Sequence, residues 1–77
     1  MKYMTVTKIV RRECERIEAA TGDYPIDWLD ECADMAVVDW TDEDGNLDYE
    51  SIEDEIICHA DNYIDFICKT YPERMRG

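Results

Sequence analysis

Three blocks of apolar residues recur at three- and four-residue steps along this chain, and two short punctuating segments separate them. The first block is Val6, Ile9, Val10, Cys14, Ile17 and Ala20; the second is Ile26, Leu29, Cys32, Ala33, Ala36 and Trp40. The third is Ile52, Ile56, His59 or Ala60, Tyr63, Ile64, Ile67 and Tyr71. Such spacing puts each block on one face of an α-helix. Gly22 suits the left-handed residue just past a helix end, and Pro25 is tolerated in a first helical turn. Thr41 to Asn46, TDEDGN, reads as a turn, and Pro72 as a stop. The pattern predicts an all-α fold: a compact three-helix bundle with helices at about 6–20, 26–39 and 49–70. Thr5 or Thr7 can cap the first helix, and residues 73–77 form a frayed basic tail. The weaker alternative is α+β. Ala36–Trp40 then forms a strand that turns at Asp44-Gly45-Asn46, making a hairpin near 36–49. The β-formers Thr5, Val6 and Thr7 likewise allow a short starting strand over 3–7.

The chain has 77 residues, enough for one domain. A core of this size rarely gives more than about 3–5 kcal/mol of net stability. It leaves little room for a deep, water-excluding cleft, which argues against an enzyme. It also makes a homodimer reasonable, since small domains bury a small share of their surface.

Charge is the outlying property. Asp and Glu number 20 against 8 Lys and Arg, a formal net charge of −12. The distribution is sharper than the total. Lys2, Lys8, Arg11, Arg12 and Arg16 lie at the start, and Lys69, Arg74 and Arg76 at the end. From Ile17 to Cys68 there is no Lys or Arg at all. Hydrophobic residues make up 45% of the chain, so a folded core is expected and not acidic disorder. Solubility alone asks for a net charge of magnitude about 2–8 in a small domain. The excess carries a self-repulsion cost, and it points to a surface that meets a basic partner.

The acids also sit at helical spacing. Asp27, Asp30, Glu31 and Asp34 fall opposite the apolar stripe of the second helix. Glu50, Asp54, Asp61 and Asp65 form an outward stripe on the third, and Asp42, Glu43 and Asp44 occupy the turn between. A four-residue helical step advances about 6 Å, and phosphates along one DNA strand advance about 3.4 Å each. Two carboxylate rows joined by an acidic turn can therefore imitate a run of phosphates at coarse resolution. Trp28, Trp40 or Tyr49 can anchor such a contact, and the first helix should lie behind it.

Other chemistry is poorly supported. Cys14, Cys32, Cys58 and Cys68 include no close ligand pair of the C-x2-C kind, so a zinc site is not indicated. The expectation is buried or half-buried thiols acting as small hydrophobes. Cys58 and His59 are sequence neighbours, so on a helix they diverge and form no dyad. Gly22, Gly45 and Gly77 are isolated, with no phosphate-binding loop. No catalytic residue, metal or other cofactor is expected. The start of the chain shows no secretory signal, and no apolar run approaches the roughly 20 residues of a membrane span. A cytoplasmic protein that binds neither membrane nor nucleic acid directly is expected.

Residues 40–51 resemble an EF-hand loop locally. With Gly45 on the turn glycine, Asp42 and Asp44 fall on the third and fifth positions and Asp48 on the ninth. Trp40 and Ser51 stand where the first ligand and the bidentate Glu belong, so a degenerate calcium module is the weakest of the functional readings.

In size and acidity the chain is similar to phage-encoded anti-CRISPR and anti-restriction inhibitors, although no motif places it in a named family. That likeness implies a non-catalytic inhibitor, a DNA mimic that occupies the DNA or RNA site of a basic protein in a host cytoplasm. The alternative is an immunity protein or antitoxin that neutralises a basic nuclease or toxin.

Overall fold

The computed structural model describes the backbone of residues 3–75 and the side chains of residues 5–75. Helices α1 (Tyr3–Thr21), α2 (Ile26–Asp39) and α3 (Tyr49–Thr70) pack against one another, and a short 3-10 turn over Pro72–Arg74 follows. This is the expected all-α three-helix bundle.

α1 begins earlier than its apolar spacing suggests. Thr5 and Thr7 lie inside its first turns and not at its cap, and the stretch considered as a strand is helical. Its end follows the expected chemistry. Gly22 takes φ +85° and its N–H donates to the Glu18 carbonyl at 2.8 Å. The buried Thr21 hydroxyl donates back to the Ile17 carbonyl and accepts from the Asp23 N–H.

α2 opens without a side-chain cap, its first helical bond running from the Leu29 N–H to the Pro25 carbonyl at 3.0 Å. It closes where the Trp40 N–H reaches the Ala36 carbonyl at 2.9 Å. Ala36 to Asp39 is therefore helical, not a strand. The hairpin alternative survives only as one antiparallel bridge, Thr41 to Leu47, closed over Gly45 at φ +83°. Asp48 then caps α3, its carboxylate accepting from the Ser51 N–H and hydroxyl. These hydrogen bonds hold its carboxyl below the ordinary aspartate range, the side-chain bond from Ser51 most of all.

The core is built largely from the predicted stripes; Val37 joins it from outside them, and Trp40 and Tyr71, expected on the apolar faces, stand just past the ends of α2 and α3 and are exposed. Val6, Ile9, Val10, Cys14 and Ile17 meet Leu29, Ala33, Ala36 and Val37 from α2 and Ile52, Ile56 and Ala60 from α3. Ile17, Leu29, Ile52 and Ile56 are fully enclosed. Cutting any one of them to Ala costs about 2–5 kcal/mol, comparable to the entire net stability of a core this small.

The tail departs from expectation within the described residues. Pro72–Arg74 winds into a 3-10 turn, and the Arg74 guanidinium pairs with Asp23 and lies 5.6 Å from the centre of the Tyr71 ring. The Tyr63 hydroxyl donates to the same Asp23 carboxylate at 2.8 Å, which ties the chain end to the α1–α2 connection. Arg76 and Gly77 lie outside the described residues.

Candidate functional site

The placement of the cations decides which carboxylates remain available to a partner. On α1, Glu13 stands four residues from both Ile9 and Ile17, which turns it inward, and only 4% of it is exposed. Burying a carboxylate costs several kcal/mol unless it is paired and hydrogen-bonded. Both of its oxygens are satisfied: Arg12 Nε donates to Oε2 at 2.9 Å, and Arg16 Nε donates to Oε1 at 2.8 Å. Each arginine then reaches across to α3. Arg12 meets Glu53 at 2.8 Å and Arg16 meets Asp61 at 2.8 Å. Glu53, Arg12, Glu13, Arg16 and Asp61 thus form one ionic seam along the α1–α3 contact.

The hydrogen bonds that Arg12 donates to Glu53 and then to Glu13 raise its pKa above the ordinary value. At Arg16 burial is the largest influence and works against the charge, but hydrogen bonds to Glu13 and Asp61 outweigh it. Further along α3, Lys69 pairs with Asp65 at 2.9 Å.

Lys8 and Arg11 are exposed on α1, and α2, the turn and the first half of α3 carry no Lys or Arg of their own. Asp27, Asp30, Glu31 and Asp34 are exposed on α2, and Asp42, Glu43 and Asp44 are exposed on the turn. Glu50 and Asp54 are exposed on the first half of α3. None of these carboxylates takes part in an ion pair among the described residues. Asp61 and Asp65 are exposed too, but each has a cation beside it. The stripe expected on α3 is therefore split, free at Glu50 and Asp54 and neutralised at Asp61 and Asp65. α1 does not simply lie behind the acidic face; its arginines reach round and cover part of it.

The aromatic anchors are partly engaged. The Trp28 ring packs against Tyr63, centroids 5.2 Å apart, and meets His59 edge-on at 6.2 Å. Trp40 Nε1 donates to Glu55 at 3.0 Å, fixing the indole above a shallow groove with Ser51, Asp54 and Cys58. Tyr49 is half-buried against the core. Among the described residues, the most exposed large apolar side chains are Val38 at 76% and Met35 at 67%, both on α2. The spacing of the apolar stripe contained a signal for them. Val38 falls four residues after Asp34, which is seven residues beyond Asp27 and three beyond Glu31, so it shares their outward face.

The Gly45 loop uses its own oxygens. Asp42 Oδ1 accepts from the Asp44 and Asn46 N–H groups at 3.0 and 2.8 Å, and both Asp48 oxygens serve Ser51. No group of three or more His, Cys, Asp or Glu that could hold a metal ion occurs among the described residues.

The thiols divide into two kinds. Cys14 is buried, and desolvation, reinforced by the charges of Asp30 and Glu13, pushes its pKa up to about 11. Cys32 is half-buried and shifted the same way, first by burial and then by Glu31 and Glu55. Both suit the small-hydrophobe reading. Cys58 and Cys68 do not, because both are exposed.

No helix among the described residues is long and apolar enough to cross a membrane. No protein-family model, curated protein or solved structure matches the chain.

Proposed function

We propose that this protein is a non-catalytic inhibitor or binding protein that presents α2, the turn and the first half of α3 as a nucleic-acid-mimicking face to a basic DNA- or RNA-binding protein. One observation carries the reading. Asp27, Asp30, Glu31, Asp34, Asp42, Glu43, Asp44, Glu50 and Asp54 are exposed without an ion pair among the described residues, their own segments carry no Lys or Arg, and Arg12, Arg16, Lys69 and Arg74 pair with other carboxylates. A solvated surface tuned only for solubility would intersperse both signs. A one-signed face instead creates a field that steers an oppositely charged partner and complements its groove. Action in the cytoplasm, in the manner of anti-CRISPR and anti-restriction inhibitors, fits this reading. The exposed Met35 and Val38 favour a second one: an immunity protein or antitoxin whose contact with a basic nuclease or toxin has an apolar component.

The test is competition. A partner recovered from host lysate at low salt is expected to release this protein when duplex DNA or RNA is added. Its affinity is expected to fall steeply between about 50 and about 200 mM salt, as phosphate-like contacts do. An affinity that stays flat over that range removes the electrostatic mimic. Release by salt but not by nucleic acid moves the contact away from the partner's nucleic-acid site and favours the second reading.

A further inference from the structure

Met35 and Val38 sit three residues apart on the outer face of α2, so their side chains are neighbours. Together with Asp34 and Asp39 they line a shallow cleft. A single exposed apolar side chain is ordinary on a protein surface. Here two of them interrupt a carboxylate face that contains no Lys or Arg, and they are more exposed than any other large hydrophobic described.

Charge decides what could cover them. A second copy related by a twofold axis would place the same patch against itself, with Glu31, Asp34 and Asp39 facing Glu31, Asp34 and Asp39. At −12 per chain that contact is repelled. Nucleic acid and anionic lipid are repelled in the same way. A basic protein segment is attracted, and apolar anchors at helical spacing are how helices recognise one another across a groove. Methionine adapts its shape to such a contact.

We infer that Met35 and Val38 form an apolar seat for a basic amphipathic helix of the partner protein, whose aliphatic side chain packs between them while its Lys or Arg residues reach Glu31, Asp34 and Asp39. The inference rests on the acidic-face reading and adds to it. It centres the contact on α2, away from the turn, and gives it a component that salt does not remove.

Two synthetic peptides of equal length and charge test the seat. Both are lysine-rich helices; one carries leucines along one face, and the other carries glutamine at those positions. Binding to the full-length, isotopically labelled protein is followed by NMR at low and at moderate salt. The leucine peptide is expected to bind about tenfold more tightly, which is what burial of one aliphatic side chain supplies. The largest shifts are expected at Met35 and Val38. In M35Q/V38Q, which alters only exposed side chains, the two peptides are expected to bind alike while helical circular dichroism is unchanged. Equal binding of both peptides to the natural chain overturns the seat but leaves the acidic face standing, as do shifts centred on Asp42–Asp54. If neither peptide binds at low salt, the seat and the acidic-face reading both fail. A dimer in sedimentation that M35Q/V38Q dissolves makes the occupant a second copy and overturns the proposal.

Discussion

Glu53 and Asp54 are adjacent in sequence and live in different circumstances. Glu53 turns toward α1 and is held by Arg12 at 2.8 Å, whereas Asp54 is exposed and has no ion pair among the described residues. The same contrast holds between the two sides of the bundle. Along the α1–α3 seam, acids and bases alternate through Glu53, Arg12, Glu13, Arg16 and Asp61. Along α2 and the turn, acids repeat without a base. The seam spends its charges on the fold, and the other side leaves them for solvent or a partner. The difference arises because Arg12 and Arg16 stand on the flank of α1 that meets α3, whereas α2, the turn and the first half of α3 carry no base of their own.

Stripping the seam of its cations gives the largest expected effect. In R12Q/R16Q the nearly enclosed Glu13 carboxylate loses both guanidiniums. Removing the partners of a buried charge costs roughly 3–5 kcal/mol, and the half-exposed positions of the arginines put this case at the lower end. That is most of the net stability a core of this size supplies. The variant is expected to be largely unfolded by circular dichroism at neutral pH. Adding Glu13→Leu should restore the helical signal, since replacing a buried ionic cluster by apolar packing is often neutral or better. If R12Q/R16Q melts like the natural chain, the seam does no structural work and the contrast between the two sides disappears.

How much of this was readable beforehand follows the same division. The helices and their core were accessible because apolar spacing reports directly on burial, as Ile17, Leu29, Ile52 and Ile56 show. The start of α1 at Tyr3 was not, because the polar threonines there look like caps whether or not the helix continues past them. The acidic stripe of α3 was visible as spacing, and a basic cluster on α1 able to pair with the acidic helices was visible too, but that Arg16 takes Asp61 in particular was not. That pairing depends on which flank of α3 faces α1, and the sequence of either helix alone does not contain it. Glu13 did leave a trace: it interrupts an apolar stripe at four-residue steps from Ile9 and Ile17, with arginines on both sides. An acid on a buried face between two bases is the pattern of a buried ionic cluster.

The second prediction concerns the face without cations. Its like charges repel one another, so screening should stabilise the fold even though it weakens the seam. Raising salt from low to about half-molar NaCl is expected to raise the melting temperature by about 4–8 °C, equivalent to about 1 kcal/mol in a domain of this size. The quadruple variant E31Q/D34N/D42N/D44N should melt higher than the natural chain at low salt and show a flatter salt response. A melting temperature that falls with salt would mean that attraction in the seam outweighs repulsion on the open face.

The smallest effect separates a diffuse acidic face from a discrete ion site. A site that holds calcium must stabilise the folded chain by mass action, and it must prefer one cation over another of equal charge. The Gly45 loop is poorly prepared for this. Asp42 Oδ1 already accepts two loop N–H groups, Asp48 is occupied by Ser51, and the indole of Trp40 is fixed to Glu55. Carboxylates spread over α2, the turn and α3 would instead attract divalent cations as a loose atmosphere that responds to charge and not to coordination geometry. Calcium and magnesium at equal millimolar concentration are therefore expected to raise the melting temperature by the same small amount. A calcium-specific rise that Asp42→Asn and Asp44→Asn abolish would locate a true site in the loop, and the acidic turn would then belong to an ion and not to a partner protein.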